Sequence, residues 1–463
     1  AMQGAWSGYV EEHLIPRLNG FELLMASYSM AHLKLDMLLT ETGYQSKKNP
    51  RFNIFLTNSL EEHHPDTGTL FSSWLSTEAN EANNVKRDTP VMVVIGNPPY
   101  SGESANKGQW IMDLMDDYKK EPEGKEKLKE RNPKAINDDY AKFLRYGQYF
   151  IEKNGEGILA YINPHGFLDN PTFRGMRWHL LNTYDKIYVI DLHGNSKKKE
   201  VSPDGSPDNN VFDIQQGVSI NFFIKMGSKK KGELAQVFHH DLYGTREVKY
   251  NYLQDNVISQ IPFEKLPNVA PMYFMVPKDF SLEKIYKKGF YIPELLSFNT
   301  SGVKTHDDKN LVSNNQTKLK KNVFDKLGFV EDEKIQKYHY RPFDVGVVYY
   351  DNNVLGRSRE KTIYHFIPEN IGLILVSQPQ AANTLFFDCA FITNCITDTN
   401  VFRRGGPKSF PLYLYPDTDV QQSLDDSHTR IPNLDTAIIA SIADNIGLTF
   451  TPEKSDSEGT FAP

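Results

Sequence analysis

The chain has 463 residues and a formal net charge of −7, from 52 Lys and Arg against 59 Asp and Glu. This length allows two to four domains and excludes a peptide-sized module. With 39% hydrophobic residues, no apolar run of about 18 residues and no N-terminal signal pattern, the sequence predicts a globular cytoplasmic protein without a membrane span. Because the net charge is negative, a nucleic-acid site would have to be a local basic patch.

Short apolar or β-branched runs predict strands in the first half of the chain, and helical periodicity predicts helices between them. The predicted strands cover 20–23, 52–56, 91–96, 157–163, 186–192 and 219–225, and the predicted helices cover 25–39, 138–152 and 171–182. Alternating strands and helices favour an α/β fold with a largely parallel sheet covered by helices. In such a sheet, ligands bind at the carboxyl ends of the strands.

The pattern changes near residues 227–232, where helical periodicity gives way to short β-type runs such as 345–350 and 372–377. We therefore predict two domains, residues 1–230 with α/β architecture and residues 231–463 with a β-rich α+β architecture. In the second domain, Arg and Lys lie beside turn residues in loops 299–309, 357–361 and 403–408. Such loops suit phosphate and base contacts, so we expect this domain to choose a DNA sequence. The alternative is a set of solvated loops on a structural appendage.

The cysteine pattern indicates neither a disulfide framework nor a metal centre. The chain has only Cys389 and Cys395, with no Cys-x-x-Cys pair and no paired His spacing. Structural zinc sites and disulfide scaffolds both need more cysteines, or a recognisable spacing of Cys and His. No metal site is therefore expected.

Residues 91–101 carry the pattern most indicative of catalysis, an apolar strand that runs into Asn97-Pro98-Pro99-Tyr100. An amino group on an aromatic base is a weak nucleophile because its lone pair is delocalised. The Asn97 side-chain carbonyl and the Pro98 backbone carbonyl offer two acceptors for its N–H groups, which favours a localised lone pair. Tyr100 offers a flat face for stacking. The pattern predicts methyl transfer to an amine without a strong base; alternatively, the two prolines only end the strand.

The same tetrapeptide is the signature of the S-adenosylmethionine-dependent amino methyltransferases, and the order of the surrounding segments resembles their adenine-N6 DNA branch. The resemblance implies that Glu22, in a Gly-Phe-Glu-Leu-Leu run, binds the cofactor ribose and that Asn58 meets the cofactor adenine. Phe212, in Asn-Val-Phe, resembles the aromatic residue that stacks on a flipped adenine. Taken alone, these residues also fit a surface carboxylate, a turn residue and a core aromatic.

Four further segments resemble the methyltransferase and target-recognition portion of Type ISP single-chain restriction-modification enzymes: 20–34, 191–195, 300–305 and 340–344. The resemblance spans about Trp6 to Tyr415. It implies a Rossmann-like methyltransferase sheet followed by a target-recognition domain, with S-adenosylmethionine as cofactor and double-stranded DNA as partner. In that family, a nuclease and a helicase portion precede this part in one longer polypeptide. Nothing in this chain resembles either portion, since it contains no phosphate-loop motif.

The sequence departs from that family at the first cofactor motif, a Gly-rich turn that should precede Gly20. The nineteen residues before Gly20 contain no Gly-x-Gly pattern, and the isolated Gly155-Glu-Gly157 follows a helix and precedes a strand. We therefore expect an N-terminally truncated methyltransferase domain whose cofactor binding is weak or absent.

Three functions fit the sequence. The first is a site-specific DNA adenine-N6 methyltransferase region of a restriction-modification enzyme, which needs a base flipped out of the duplex. The second is methylation of a protein glutamine or an RNA guanine, for which the long β-rich extension has no evident use. The third is a catalytically silent DNA-recognition fragment, which the absent first motif favours.

Overall fold

The computed structural model describes residues 5–46, 50–62, 73–102, 104–130, 133–230, 232–376, 390–402, 406–416 and 430–463. Cys389 and residues 403–405, which belong to one of the predicted basic loops, lie outside these ranges. The chain divides into two compact units between Asp279 and Phe280. No helix within the described residues has the length and apolar character needed to cross a bilayer.

The first unit contains strands and helices in an alternating order close to the predicted one. The strands are β1 (Asn19–Glu22), β2 (Asn53–Leu56), β3 (Val93–Gly96), β4 (Gly157–Pro164), β5 (Lys186–Asp191), β6 (Val218–Lys225), β7 (Gln236–Asp241) and β8 (Glu264–Leu266). The α-helices are α1 (Trp6–Tyr9), α2 (Met25–Glu41), α3 (Ser73–Asp88), α4 (Gln109–Met115), α5 (Asp139–Asn154), α6 (Arg174–Thr183) and α7 (Arg246–Asp255). The architecture is therefore mixed α/β, as expected.

The main sheet of this unit is mixed rather than largely parallel. Its six strands have the order β3-β4-β6-β5-β7-β8. The pairs β3–β4 and β5–β7 are parallel, whereas β6 lies between β4 and β5 and is antiparallel to both. Periodicity reports the burial of a strand but not its direction, and β6 follows β5 without a crossover helix, so the expectation of a largely parallel sheet was wrong. Because β7 and β8 complete this sheet, the first unit extends beyond the boundary expected near residue 230.

Strands β1 and β2 form a separate parallel pair with Glu22 opposite Leu56. Among the described residues, no strand pairs with the second edge of β1, nor with the second edge of β3. On β3, Val93 and Ile95 are 59% and 80% exposed, although both are apolar. An uncovered edge with exposed β-branched side chains is the usual place where another strand adds to a sheet. These two edges are called the open edges below.

Burial of one face of the main sheet explains the packing of α5 and α6. Leu159 on β4, Ile187 and Val189 on β5, and Phe223 on β6 are fully buried in one cluster that also contains apolar residues of both helices. The α5 sequence repeats its apolar residues with helical spacing, so one stripe faces the sheet. The helix begins after Asp138, whose side chain accepts a hydrogen bond from the Tyr140 backbone N–H. Helix α5 therefore has a fixed start next to the end of β3.

A completely buried ion pair joins α7 to the loop before β6. Lys249 Nζ lies 2.7 Å from Asp208 Oδ1, and both side chains are fully buried. The same ammonium donates to the carbonyls of Leu192 and Asn209 at 2.6 and 2.7 Å. Asp208 in turn accepts hydrogen bonds from the backbone N–H of Gly194 and Gly244. Every charge in this group is thus paired and hydrogen-bonded.

Replacing Lys249 by Met is expected to lower the free energy of unfolding by about 3–5 kcal/mol, because it leaves the Asp208 carboxylate buried without its counter-charge. Urea unfolding monitored by hydrogen exchange of first-unit peptides measures the change. The control is Lys129→Met, which removes an exposed pair with Glu126 at 3.4 Å and is expected to leave stability unchanged. Equal stability of the two variants would show that the Lys249 pair adds nothing.

The second unit contains several small sheets and short helices, as expected for a β-rich α+β domain. Its strands are β9 (Val312–Ser313), β10 (Ile335–Arg341), β11 (Asp344–Tyr349), β12 (Gly372–Val376), β13 (Ala390–Thr393), β14 (Ile396–Thr397), β15 (Pro407–Pro411), β16 (Tyr413–Leu414), β17 (Ile431–Pro432), β18 (Thr449–Phe450) and β19 (Thr460–Phe461). Its helices are α8 (Glu283–Tyr286), α9 (Ile292–Leu295), α10 (Asp308–Leu311), α11 (Gln316–Leu327), α12 (Glu360–Ile363) and α13 (Thr436–Ile446).

The second unit has its own core. The two largest of its sheets have the orders β14-β10-β11-β9 and β13-β12-β15. Tyr338 on β10 and Val348 and Tyr349 on β11 are fully buried against Leu319 and Val323 of α11. A separate core is the property that defines a domain.

Candidate active site

The predicted catalytic tetrapeptide lies directly after β3, at the carboxyl end of that strand. Asn97 and Pro99 are exposed, Pro98 is buried and Tyr100 is half-buried. The Tyr100 hydroxyl oxygen lies 2.6 Å from Asn97 Oδ1 and 3.1 Å from the Ile162 carbonyl oxygen of the neighbouring β4. Burial raises the pKa of Tyr100 well above its ordinary value, so the hydroxyl stays protonated and acts as a donor. The hydroxyl therefore fixes the orientation of the Asn97 carboxamide.

The turn after the tetrapeptide is tied to the start of α5. The Ser101 backbone N–H donates to Asp138 Oδ1 at 3.0 Å, on the side chain that also caps the helix. Desolvation raises the pKa of Asp138, although hydrogen bonds from backbone N–H groups oppose this. The Asp138 side chain therefore links the segment after the tetrapeptide to the first turn of α5, a helix that packs against the main sheet. Asp138 was not among the predicted site residues, although an Asp before a predicted helix is a recognisable capping signal.

Phe212 and Tyr100 pack on the same apolar cluster, which contains Ile190, Leu192, Val211, Val218, Leu242 and Ile261. Phe212 is half-buried, and its backbone N–H donates to Asn210 Oδ1 at 2.9 Å. The Asn210 amide also donates to the Gln216 carbonyl at 2.7 Å, which closes the loop around the aromatic residue. The structure therefore brings together two predicted site residues that are more than a hundred positions apart in sequence.

Glu22 and Asn58 lie at the ends of the parallel neighbours β1 and β2. Glu22 Oε1 accepts hydrogen bonds from the backbone N–H of Leu23 and Leu24 at 2.9 and 3.0 Å. This turn holds the carboxylate at the carboxyl end of β1, next to its open edge. That position fits a carboxylate that accepts hydrogen bonds from the hydroxyl groups of a bound ribose.

The Asn58 side chain fits its predicted role less well. Its Oδ1 accepts from the Leu60 backbone N–H at 3.0 Å, and its Nδ2 donates to Asn106 Oδ1 at 3.1 Å and to Glu61 Oε1 at 3.2 Å. The amide is thus already bonded within its own loop and to the loop after the tetrapeptide. Contact of Asn58 with a cofactor adenine would have to replace one of these bonds.

Lys86 of α3 holds the same loop and was not predicted from the sequence. Its Nζ donates to the Asn58 carbonyl at 2.8 Å and to the Glu61 carbonyl at 3.1 Å. Burial lowers the pKa of Lys86 to about 8. Sequence spacing gave no signal for this contact because the partners are backbone carbonyls.

The arrangement supplies what transfer to a weakly nucleophilic amine requires. It contains a carboxamide oxygen fixed by a phenol, the Pro98 backbone carbonyl between two φ-restricted residues, and aromatic rings on one apolar cluster. Glu22 provides a carboxylate at the carboxyl end of β1, which belongs to the separate β1–β2 pair. The described residues of the tetrapeptide include no carboxylate or imidazole that would act as a strong base.

Comparison with known families gives matches for both units. Residues 21–197 match the family model described as Eco57I restriction-modification methylase, and residues 290–456 match the model described as Type ISP C-terminal specificity domain. No curated protein sequence matches the chain.

Solved structures with a similar fold include three proteins bound to DNA or to a DNA substrate mimic. The ATP-dependent Type ISP enzyme LlaBIII bound to DNA is 19% identical with a TM-score of 0.63, and the match covers 94% of this chain and 31% of LlaBIII. The DrdV–DNA complex is 19% identical (TM-score 0.62; 95% and 46% of the two chains), and a nuclease-deletion mutant of LlaGI with a DNA substrate mimic is 17% identical (TM-score 0.60; 93% and 44%). The chain spans less than half the length of each of these proteins.

Proposed function

We propose that this chain, which combines a restriction-modification methylase domain with the specificity domain of a Type ISP enzyme, methylates adenine N6 in duplex DNA at a specific sequence. The observation that carries the proposal is the fixed Asn97 carboxamide at the carboxyl end of β3, with Phe212 and Tyr100 on one apolar cluster. The cofactor is S-adenosylmethionine, which supplies an electrophilic methyl group when bound.

In the proposed reaction, the residues of this chain position and activate the amine. An adenine flipped out of the duplex stacks against the aromatic rings of Tyr100 and Phe212. Asn97 Oδ1 and the Pro98 carbonyl oxygen each accept one N–H of its N6 amino group, which favours a localised lone pair. The Tyr100 hydroxyl keeps Asn97 Oδ1 in place throughout. Because the site is preorganised, it needs no strong base.

We propose that an additional strand between the open edges of β1 and β3 completes this site. Glu22 and Asn97 lie at the carboxyl ends of these two strands, so a parallel strand between them would end in a turn that faces both side chains. The exposure of Val93 and Ile95 supports an added apolar neighbour. The Gly-rich turn expected for the family would follow this strand.

The decisive experiment measures cofactor binding and product identity together, on a polypeptide that joins this chain to the proposed strand and Gly-rich turn. Titration calorimetry gives the affinity for S-adenosylmethionine, and mass spectrometry of digested DNA, RNA and protein substrates identifies the methylated group. N6-methyladenine in duplex DNA is the expected product. Methylated glutamine or RNA guanine would support the second function, and DNA binding without cofactor binding would support a silent recognition fragment.

Replacing Phe212 by Leu tests its stacking role, because Leu retains apolar packing and lacks the aromatic face. With a fluorescent adenine analogue at the target position, the variant is expected to stabilise the extruded base less by about 1–3 kcal/mol. Its affinity for ordinary duplex DNA, measured by fluorescence anisotropy, should not change. An identical fluorescence response in both proteins would leave Phe212 only a packing role.

A further inference from the structure

A group of imidazoles and carboxylates, of which His165, His193 and Asp191 are buried, lies at the carboxyl ends of β4, β5 and β7. His165 follows β4, Asp191 ends β5, His193 lies two residues later, and Asp241 ends β7. Glu200 reaches the group from the loop after β5. The side chains of His165 and Asp191 are only 6% and 5% exposed. The proposed function uses none of these residues.

Each of the two histidines points one ring nitrogen at a carboxylate. His165 Nδ1 lies 2.9 Å from Asp191 Oδ1, and His193 Nε2 lies 2.8 Å from Asp241 Oδ1. The Asn195 amide nitrogen lies 3.3 Å from His165 Nε2. An amide nitrogen can only donate, so His165 Nε2 presents its lone pair and Nδ1 carries the proton. This is the tautomer in which a histidine can ligate a metal ion.

The remaining nitrogen of His193 lies near two carboxylates. His193 Nδ1 is 3.9 Å from Asp191 Oδ2 and 4.0 Å from Glu200 Oε1. One ligand atom from each of His165, His193 and Glu200 lies within 4.8 Å of the others. When Zn²⁺ lies about 2.0–2.1 Å from each of its tetrahedral ligand atoms, those atoms are about 3.4 Å from one another. Side-chain rotations that move the three ligand atoms by about 1 Å would bring them to this separation. The geometry therefore needs an adjustment of side chains but no movement of strands.

We propose that His165, His193 and Glu200 bind a divalent transition-metal ion such as Zn²⁺, with Asp191 and Asp241 as the carboxylates that orient the two imidazoles. Two histidines and one carboxylate form a familiar ligand set for such ions. Ligating histidines characteristically donate their second ring N–H to a carboxylate, and both histidines here have that partner. The positive charge of the ion would also offset the negative charges of Asp191, Glu200 and Asp241, which surround His193.

Packing around the group limits how far the rings can move. The Tyr243 ring stacks on His193 with centroids 3.9 Å apart and planes 10° apart. A Cβ at Gly217 would lie 2.5 Å from His165 Cε1, so only glycine lets the β6 backbone approach this ring. His239 Nε2 lies 3.0 Å from Asp241 Oδ1, the same oxygen that accepts from His193 Nε2. Restricted rings keep the proposed ligand atoms close together before an ion binds.

The proposed ion would stabilise the loop that supports Phe212. Gly194, next to His193, donates through its backbone N–H to Asp208, and its carbonyl accepts from the Asn210 amide at 3.3 Å. A side chain at Gly194 would clash with the Asn210 backbone. The His193–Glu200 loop and the Asn210–Phe212 segment therefore pack as one body. This structural consequence rests on the proposed function of Phe212, whereas metal binding itself does not.

The test uses the whole chain without a histidine tag, stripped with a chelator and titrated with Zn²⁺ and Co²⁺. We expect one Zn²⁺ per chain by elemental analysis, visible absorption of bound Co²⁺, and a Zn²⁺-dependent increase in Tm. Glu200→Gln keeps the acceptor for the Asn195 backbone N–H and removes a charged ligand, so it should weaken binding at least about 10-fold. Asp241→Asn, which removes the carboxylate that orients His193 but removes no proposed ligand, should weaken it by about 10–100-fold.

Glu156→Gln is the matched control because Glu156 is exposed and precedes β4, at the opposite end of that strand from His165; it should bind Zn²⁺ as the unchanged chain does. Equal Tm values in chelator would show that Glu200→Gln is folded. Absence of stoichiometric Zn²⁺ in the unchanged chain, or unaltered binding by Glu200→Gln, would overturn the proposal and leave a network of ion pairs without a metal. These readouts need no methyl transfer, so they are independent of the proposed activity.

Discussion

Replacing Asn97 by Ala is expected to reduce the rate of methyl transfer to adenine by about a hundred- to a thousand-fold. The substitution removes an acceptor that acts on the N6 amino group in the transition state, and a preorganised hydrogen-bonding group of this kind contributes about 10²–10³ to the rate. Duplex affinity should change little, because phosphate contacts elsewhere supply most of it. Initial rates with S-adenosylmethionine labelled in its methyl group, together with anisotropy on the same DNA, measure both effects.

The assay uses a longer polypeptide in which this chain is joined to the strand and Gly-rich turn proposed for the open edges. Asn84→Ala serves as the control, because Asn84 is an exposed residue of α3. Tyr100→Phe provides a graded comparison, since it keeps the aromatic ring and removes the hydroxyl that holds Asn97 Oδ1. We expect its rate to lie between those of Asn97→Ala and the unchanged protein. Undiminished methylation by Asn97→Ala would remove the tetrapeptide from the mechanism.

Exchanging residues 280–463 for the corresponding unit of a relative with another target should transfer the recognised DNA sequence. The second unit has its own core and begins after Asp279, so the hybrid is expected to fold. In its described loops, Arg and Lys can contact phosphates, and Arg can bind guanine in a bidentate manner worth about 1–3 kcal/mol of discrimination per base pair. Sequencing of methylated sites in a random DNA library measures the change.

The position at which the two halves of the hybrid are joined provides a second test. A junction at residue 230, where the sequence alone places the boundary, would separate β7 and β8 from the sheet they complete. We expect that hybrid to be insoluble or inactive, whereas the hybrid joined at 279/280 should be folded. If the folded hybrid keeps the original target, sequence recognition lies in the first unit and the second unit is a scaffold.

The sequence predicted where the strands lie along the chain, but it did not predict the direction in which neighbouring strands pair. β-Branched and aromatic runs placed β4, β5 and β6 within one or two residues, because such runs leave a strong apolar signal. The antiparallel direction of β6 left no such signal, since direction depends on the connection and not on the residues of the strand. The boundary expected near residue 230 differs from the division after Asp279, because a Lys-rich turn before β7 resembles a linker in the sequence.

The candidate site shows the same limit at the level of side chains. Asn97 and Tyr100 were predictable because one motif contains both, and their mutual bond follows from local geometry. The Asn58 amide already donates a hydrogen bond to Asn106, and no sequence pattern predicts that these two residues meet. The ligand set of the proposed metal site draws its residues from separate loops at the ends of β4 and β5. Only the folded sheet brings such residues together.

The open edges of β1 and β3 have a further consequence for handling the protein. An unpaired strand edge is a template on which another molecule can extend a sheet, and this is a common origin of aggregation. β1 and β3 are each four residues long, so each offers only a few free backbone groups and limits growth. Aggregation of the isolated chain should therefore increase with its concentration. A short synthetic peptide with the sequence of the proposed additional strand should reduce this aggregation by pairing with both edges.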